Sequence, residues 1–327
     1  MTYVMTAAGL IVLLLGGDFL VRGSVALARR LGVSTLIIGL TVVALGTSAP
    51  ELVVSVEAVV AGSPGIAIGN VVGSNIANIL LVLGVPALLA PIVCGGRLLN
   101  RTVLYMVLAS VLLVAFSWTE ALRWGHGLVL LALFAAFLAD SYRRAMRDQE
   151  DAMAVASEVE DIQSMSGSVA VALPAVAGGL LALMLGSYLL IVGASAIAQR
   201  FGVSEAVIGL TLVAIGTSLP ELATCLMAAL RRHGAVAIGN VIGSNLLNIL
   251  AVMGAASIVG TVPVPAKFFD FDYWVMLGAA LLLLPFVLRR RPIGRLAGVF
   301  LALAYVAYVA SQFLGVSGVA VAGAHPG

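Results

Sequence analysis

The sequence predicts an all-α integral membrane protein whose ten transmembrane helices form two inverted-topology five-helix repeats. Three observations carry that expectation. Of 327 residues, 62% are hydrophobic and only 10% charged, whereas a soluble domain has roughly 45–50% apolar and about 25% charged residues. Apolar runs near spanning length, about 20 residues, occur ten times. Long polar-centred stretches also recur at one fixed offset of 170 positions.

In chain order the runs are 4–27, 36–60, 66–90, 100–118, 124–142, 170–197, 205–230, 235–260, 271–288 and 295–314. The first has no basic residue before it and is long enough to span, so it reads as a helix and not as a cleaved signal peptide. The fifth is short for a span. Between the fifth and sixth lies the longest polar connection, 143–168, basic at its start and then acidic ("DQEDAMAVASEVEDIQ"). It is too short for an inserted domain and reads as a solvated linker, with a regulatory calcium site as the alternative. The chain therefore divides into a first repeat, 1–142, the linker, and a second repeat, 169–327.

Charge orients the spans. Of the 17 Lys and Arg residues, 14 fall in the connections 1–2, 3–4, 5–6, 7–8 and 9–10; only Arg123, Arg200 and Lys267 fall on the other side. The positive-inside rule makes the basic side cytoplasmic, and an even number of spans then leaves both termini extracytoplasmic. A multi-pass plasma membrane (bacterial or archaeal inner membrane) location follows, with the lipid bilayer as surroundings. The net charge of +2 implies no nucleic-acid partner.

Residues 39–51, "GLTVVALGTSAPE", match 209–221, "GLTLVAIGTSLPE", at 10 of 13 positions. Residues 66–80, "IAIGNVVGSNIANIL", match 236–250, "VAIGNVIGSNLLNIL", at 11 of 15. "RRLGVS" at 29–34 and "QRFGVS" at 199–204 keep the same offset. The paired motifs thus cover 39–80 and 209–250. Five helices per repeat is an odd number, so the second repeat enters the membrane from the opposite face. The link after helix 2, "AGSPG", has no basic residue, while its counterpart after helix 7, "RRHG", has two. Inverted repeats with broken helices mark secondary transporters, with the binding site at the repeat interface.

The chemistry sits at the breaks. Pro50 and Pro220 lack an N–H and release the carbonyls of Gly46 and Gly216, which a dehydrated cation would satisfy. Thr47 and Ser48 precede Glu51 by four and three residues, and Thr217 and Ser218 precede Glu221 in the same way, so each trio shares a helix face. Ser74 lies four before Asn78, and Ser244 four before Asn248. All of these groups offer oxygen, which suits hard cations such as Ca²⁺ or Na⁺. A charged residue at a helix centre costs roughly 2.5–3.5 kcal/mol, and no Lys or Arg lies at the depth of the glutamates. The alternative is protonated glutamates in interhelical hydrogen bonds, which leaves the duplicated Thr, Ser and Asn unexplained.

Other residues read more plainly. Cys94 and Cys225 cannot build a disulfide framework, and Cys225 reads as a small buried hydrophobe. His126, His233 and His325 lie in polar connections or the tail and read as solvated surface. Asp18 has Arg22 at i+4 and reads as a local ion pair. Glu57, which the repeat aligns with Met227, reads as an outward-snorkelling carboxylate, ahead of a cation-attracting mouth residue. "GNVVGSN" and "GNVIGSN" lack the Lys-Ser/Thr of a phosphate loop, so their glycines suggest close helix packing. No nucleophile lies beside a histidine, which argues against an enzyme.

"GTSAPE" with "GNVVGSN", and "GTSLPE" with "GNVIGSN", resemble the two alpha-repeats of the sodium/calcium exchanger family, within the cation/calcium exchanger superfamily. The resemblance spans both halves and is closest to the compact prokaryotic form. It implies four cation sites in a diamond at mid-membrane. The calcium site would use the carboxylates of Glu51 and Glu221 with the carbonyls of Thr47 and Thr217. The inner sodium site would draw on Ala44, Thr47, Glu51, Ser74 and Ser218, and the outer one on Ser48, Ala214, Thr217, Glu221 and Ser244. The middle site would use Glu51, Asn78, Glu221 and Asn248. The resemblance also implies that helices 1 and 6 slide across a static core, and an exchange of three sodium ions per calcium. Many exchangers carry an aspartate where this chain has Asn248, so the core here holds two carboxylates.

The reading is a secondary antiporter that exchanges Ca²⁺ for Na⁺ by alternating access. It needs no cofactor and no obligatory protein partner. A Ca²⁺/H⁺ or K⁺-dependent antiporter is the alternative within the class, although the proton-driven branch usually shows "GN" where this chain has "GTS". A cation channel is the rival outside it; a channel needs a continuous pore, usually built by subunits around an axis.

Overall fold

Apolar runs this long can satisfy their backbone in a bilayer only as helices or closed barrels, and here they form helices. The computed structural model describes residues 2–145, 169–201 and 216–322, with side chains described as far as Arg143 in the first stretch and Gln312 in the last. The helices are α1 (Thr2–Leu31), α2 (Thr35–Thr47), α3 (Ala49–Val60), α4 (Pro64–Leu89), α5 (Arg97–Ser117), α6 (Trp124–Ala145), α7 (Val169–Arg200), α8 (Leu219–Leu230), α9 (Gly234–Val259), α10 (Phe268–Leu288) and α11 (Arg295–Ala322).

Among the described residues, eight helices are long and apolar enough to cross a membrane, and α2 with α3 makes a ninth span bent by 44°. The chain is thus a multi-pass membrane protein. The run expected at 205–230 is represented by the 12-residue α8, because 202–215 lie outside the described residues. Most of the linker expected at 143–168 lies outside them too, although α6 runs on to Ala145.

Connections expected on one side of the membrane meet one another. The α5–α6 and α9–α10 connections pair as a two-residue antiparallel ribbon, β1 (Ala121–Leu122) with β2 (Val262–Pro263). On the other side, Ile92 after α4 bridges Ile293 after α10. Glycines set the closest helix contacts. Gly9, Gly16 and Gly23 of α1 face α7, and Gly179, Gly186 and Gly193 of α7 face α1, every seventh residue on both helices. A Cβ at Gly9 would lie 2.5 Å from Leu190 N, and one at Gly186 would lie 2.5 Å from Leu13 N. Small residues let transmembrane backbones approach this closely. Gly239 and Gly243 do the same for α9 against Leu36 and Leu40 of α2, the close packing anticipated for "GNVIGSN". A Cβ at Gly69 or Gly73 of "GNVVGSN" would meet nothing within 4 Å among the described residues, so among them the expectation is not met for the first copy.

Two polar residues depart from the sequence reading. His233 is buried where α8 turns into α9, not solvated. Burial first, and then the charges of Arg29 and Arg231, push its imidazole down to about 4. Asp18 pairs with Arg22 as anticipated, Nε to Oδ2 at 3.0 Å, and also takes Arg231 from beyond α8. The ion pair is therefore a tie between helices as well as a local one. Both cysteines are free and buried, and burial pushes the Cys94 thiol up to about 12.

Candidate cation-binding site

The site begins with two interrupted helices. Pro50 has no N–H to return to the carbonyl of Gly46, nor has Pro220 for Gly216. Helix α2 stops at Thr47, and Ser48 turns out of helical geometry with φ −91° and ψ 9°. Ser218 copies it with φ −87° and ψ 3°. Helices α3 and α8 start immediately afterwards, each with its proline in the first two positions, where a missing N–H costs nothing. Glu51 and Glu221 fall in the first turns of these helices, where unsatisfied N–H groups favour negative charge.

Helices α4 and α9 supply the other walls. Each contains one π-helical turn, Asn78–Val82 and Asn248–Val252. The extra residue of a π turn is frequent at functional sites, and here it opens with the asparagine in both repeats. Thr47, Ser48, Glu51, Ser74, Asn78, Ser218, Glu221, Ser244 and Asn248 are all buried, and so is Ala44. Thr217 is half-buried. Ala214 lies outside the described residues.

Contacts cross between the repeats. Ser48 Oγ donates to Glu221 Oε1 at 2.9 Å and lies 2.9 Å from Ser244 Oγ. Asn78 Nδ2 donates to Asn245 Oδ1 at 3.1 Å. Among the described residues neither Glu51 nor Glu221 has an ion-pair partner.

What remains unmatched defines the chemistry. Glu51 Oε2, Glu221 Oε2, Ser218 Oγ, Asn78 Oδ1 and Asn248 Oδ1 are buried with no hydrogen-bond partner in the protein. Leaving a buried polar atom unmatched costs about 1–3 kcal/mol, more when it is charged. Several such oxygens around two unpaired carboxylates make a donor set for a hard cation. The unmatched donors are carboxylate, hydroxyl and amide oxygens, a set that suits a hard cation better than zinc or copper. Asn248 Nδ2 is also unmatched. As a donor it cannot ligate a cation and calls for an acceptor that the protein does not supply.

A supporting layer escaped the sequence reading. Thr47 Oγ1 donates to Asn240 Oδ1 at 3.2 Å, which holds the turn carrying the Thr47 carbonyl. Asn70 Nδ2 donates to the Glu51 carbonyl at 3.2 Å and to Ser55 Oγ at 3.0 Å. Asn245 Nδ2 reaches the Asn75 carbonyl at 3.4 Å. The signal was present, because Asn70 with Asn240 and Asn75 with Asn245 recur at the 170 offset. One expectation is corrected. The Gly216 carbonyl is not left to a cation alone, since Ser187 of α7 donates to it at 2.9 Å and takes one of its two lone pairs.

Comparison with known proteins gives a consistent picture. The family model described as "Sodium/calcium exchanger protein" matches residues 1–142 and 171–314. CaxA of Alkalimonas amylolytica, named as a candidate antiporter, is 39% identical over 307 residues, covering 92% of this chain and 95% of its own. The sodium/calcium exchanger MaX1 of Methanosarcina acetivorans is 32% identical over 337 residues, covering 93% and 96%. The solved structure of the sodium-calcium exchanger NCX_Mj, soaked without Na⁺ and Ca²⁺, superposes with a TM-score of 0.82 at 34% identity, covering 95% of this chain and 98% of that one.

Proposed function

The chain belongs to the sodium/calcium exchanger family, and from that premise we propose that it is a secondary antiporter exchanging Ca²⁺ for Na⁺ across the membrane. The observation that carries the proposal is the buried oxygen cluster around Glu51 and Glu221, with several oxygens unmatched by the protein itself. Two unpaired carboxylates supply a charge of −2. In a low-dielectric core that charge demands cations. One Ca²⁺ or two Na⁺ neutralises it, so the two ions compete for the same oxygens, as an exchanger requires. No covalent step is involved.

In this reading Glu51 and Glu221 hold Ca²⁺ with the carbonyls of Thr47 and Thr217. Sodium uses Ala44, Ser74 and Ser218 on one side and Ser48, Ala214 and Ser244 on the other. Asn78 and Asn248 complete the middle. Asn248 Nδ2 needs an acceptor, which places a water or a glutamate oxygen beside it. The ten spans are two inverted repeats, 1–142 and 169–327, with both termini extracytoplasmic. The matched breaks at Ser48 and Ser218 and the matched π turns at Asn78 and Asn248 support that arrangement.

The test is Ca²⁺ uptake into proteoliposomes under imposed Na⁺, K⁺ or H⁺ gradients. Uptake driven by outward Na⁺ supports the proposal. Uptake that follows a pH gradient and ignores Na⁺ would move the protein to a proton-coupled exchanger, and dependence on K⁺ to a K⁺-dependent one. Ca²⁺ passage without any counter-ion gradient would make it a channel.

A further inference from the structure

The Gly216 carbonyl lies at a helix break inside the apolar part of the chain, where an unmatched acceptor is costly. Pro220, four residues on, has no N–H for it. The partner comes from another helix. Ser187, buried on α7, donates its hydroxyl to Gly216 O at 2.9 Å. The Ile191 side chain of α7 also packs against Gly216, where an added Cβ would meet its Cδ1.

The first repeat is built differently. The position 170 residues before Ser187 is Gly17, which has no side chain and packs against the carbonyl of Ala223. Pro50 leaves Gly46 in the same situation as Gly216, but the α7 side chain against Gly46 is Leu180, which has no donor.

We propose that Ser187 is a positioning residue for the second half of the cation site. By holding the Gly216 carbonyl it fixes the turn Gly216–Ser218, from which Thr217 and Ser218 present their oxygens. The glycine at position 17 leaves the first half without this tether, so the two halves are unequal although their motifs match. The proposal rests on reading the Glu51–Glu221 cluster as the transport site.

Removing the hydroxyl leaves a buried carbonyl unmatched and frees the turn to rotate. For Ser187→Ala the half-saturating concentrations of Ca²⁺ and Na⁺ should rise by about thirtyfold, the central effect of one unmatched buried acceptor. The rate at saturating ions should change much less. Ser187→Thr keeps the donor and should restore wild-type half-saturation. Ser187→Cys, close in size but a weak donor, should fall between.

The experiment is Na⁺-driven Ca²⁺ uptake in proteoliposomes across a range of both ions, with Glu221→Gln as reference. If Glu221→Gln exchanges normally, the site reading itself fails and Ser187 has nothing to position. If Glu221→Gln is inactive and Ser187→Ala saturates like wild type, the Ser187 proposal fails alone. Should Ser187→Ala not fold, the cysteine variant decides: wild-type half-saturation there overturns the proposal, and an equal shift in the threonine variant shows packing, which overturns it too.

Discussion

Replacing Glu221 by glutamine separates a calcium ligand from a structural hydrogen bond. The amide keeps the shape and still offers an oxygen to Ser48 Oγ, which now donates to Oε1 at 2.9 Å. It removes one of the two charges in a pocket without basic partners. Breaking a buried charge pair from one side costs about 3–5 kcal/mol. At about 1.4 kcal/mol per decade, Ca²⁺ affinity should fall by about two to three and a half orders of magnitude. Without ions the sign reverses. A buried carboxylate costs roughly 2.5–3.5 kcal/mol at a helix centre, so the apo variant should be as stable as wild type or more so. Thermal unfolding in detergent reads both effects. Wild type at a hundredfold excess of Ca²⁺ over Kd gains about 2.7 kcal/mol and its midpoint rises; Glu221→Gln should show an unshifted or raised apo midpoint and no rise with Ca²⁺ at that concentration. Exchange in proteoliposomes should be lost with it, and Glu51→Gln should behave alike. A variant that keeps both the Ca²⁺-induced rise and the flux would refute the assignment of this carboxylate as a ligand.

Other outcomes follow from the same structure. The family resemblance implies three Na⁺ per Ca²⁺, which would move one net charge per cycle, so Na⁺-driven Ca²⁺ flux should change with clamped membrane potential; flux indifferent to voltage would indicate two Na⁺ per Ca²⁺. Asn248→Asp adds a third carboxylate near the first two and should retain some exchange while making it more dependent on pH; an unchanged pH profile would place Asn248 away from the ions. His233 has its folded pKa lowered to about 4 from an ordinary 6.5, so the protein should keep its full stability above about pH 6.5 and lose it as pH falls toward 4, by at most about 1.4 kcal/mol per pH unit. His233→Gln should flatten that decline, and identical slopes in thermal unfolding would show that the buried imidazole is not its cause. A reporter fused after Gly327 should read as extracytoplasmic and one within 150–165 as cytoplasmic; the reverse would overturn the orientation drawn from the charge split.

The spans, the duplicated motifs and the buried glutamates were legible because each is a local property. A run of apolar residues is a helix in a bilayer whatever surrounds it. A proline deletes one hydrogen bond wherever it stands. A carboxylate among such residues needs compensation from some source. The 170-residue offset then tied the two halves together without any coordinates. Other features could not be read this way, because lipid tails are as apolar as a protein core and hydropathy does not tell the two surroundings apart. On α1, Leu13 and Leu20 are buried while Leu10 and Leu15 are exposed, and nothing in four leucines separates them. The same blindness placed His233 at the surface, because the "RRHG" turn is polar and its burial comes only with helix packing. It also left Asp18 with one arginine, when the second is 213 residues away. Ser187 and Asn240 lie outside the stretch around each proline, and their roles arise only when α7 and α9 are laid against the breaks. Which runs are long and apolar enough to span, and which ionisable residues fall inside them, can therefore be read from chain chemistry alone. Which partner each polar atom meets was decided by helix packing, since hydrogen bonds reach about 3 Å and only the tertiary arrangement brings residues so distant in sequence within that range.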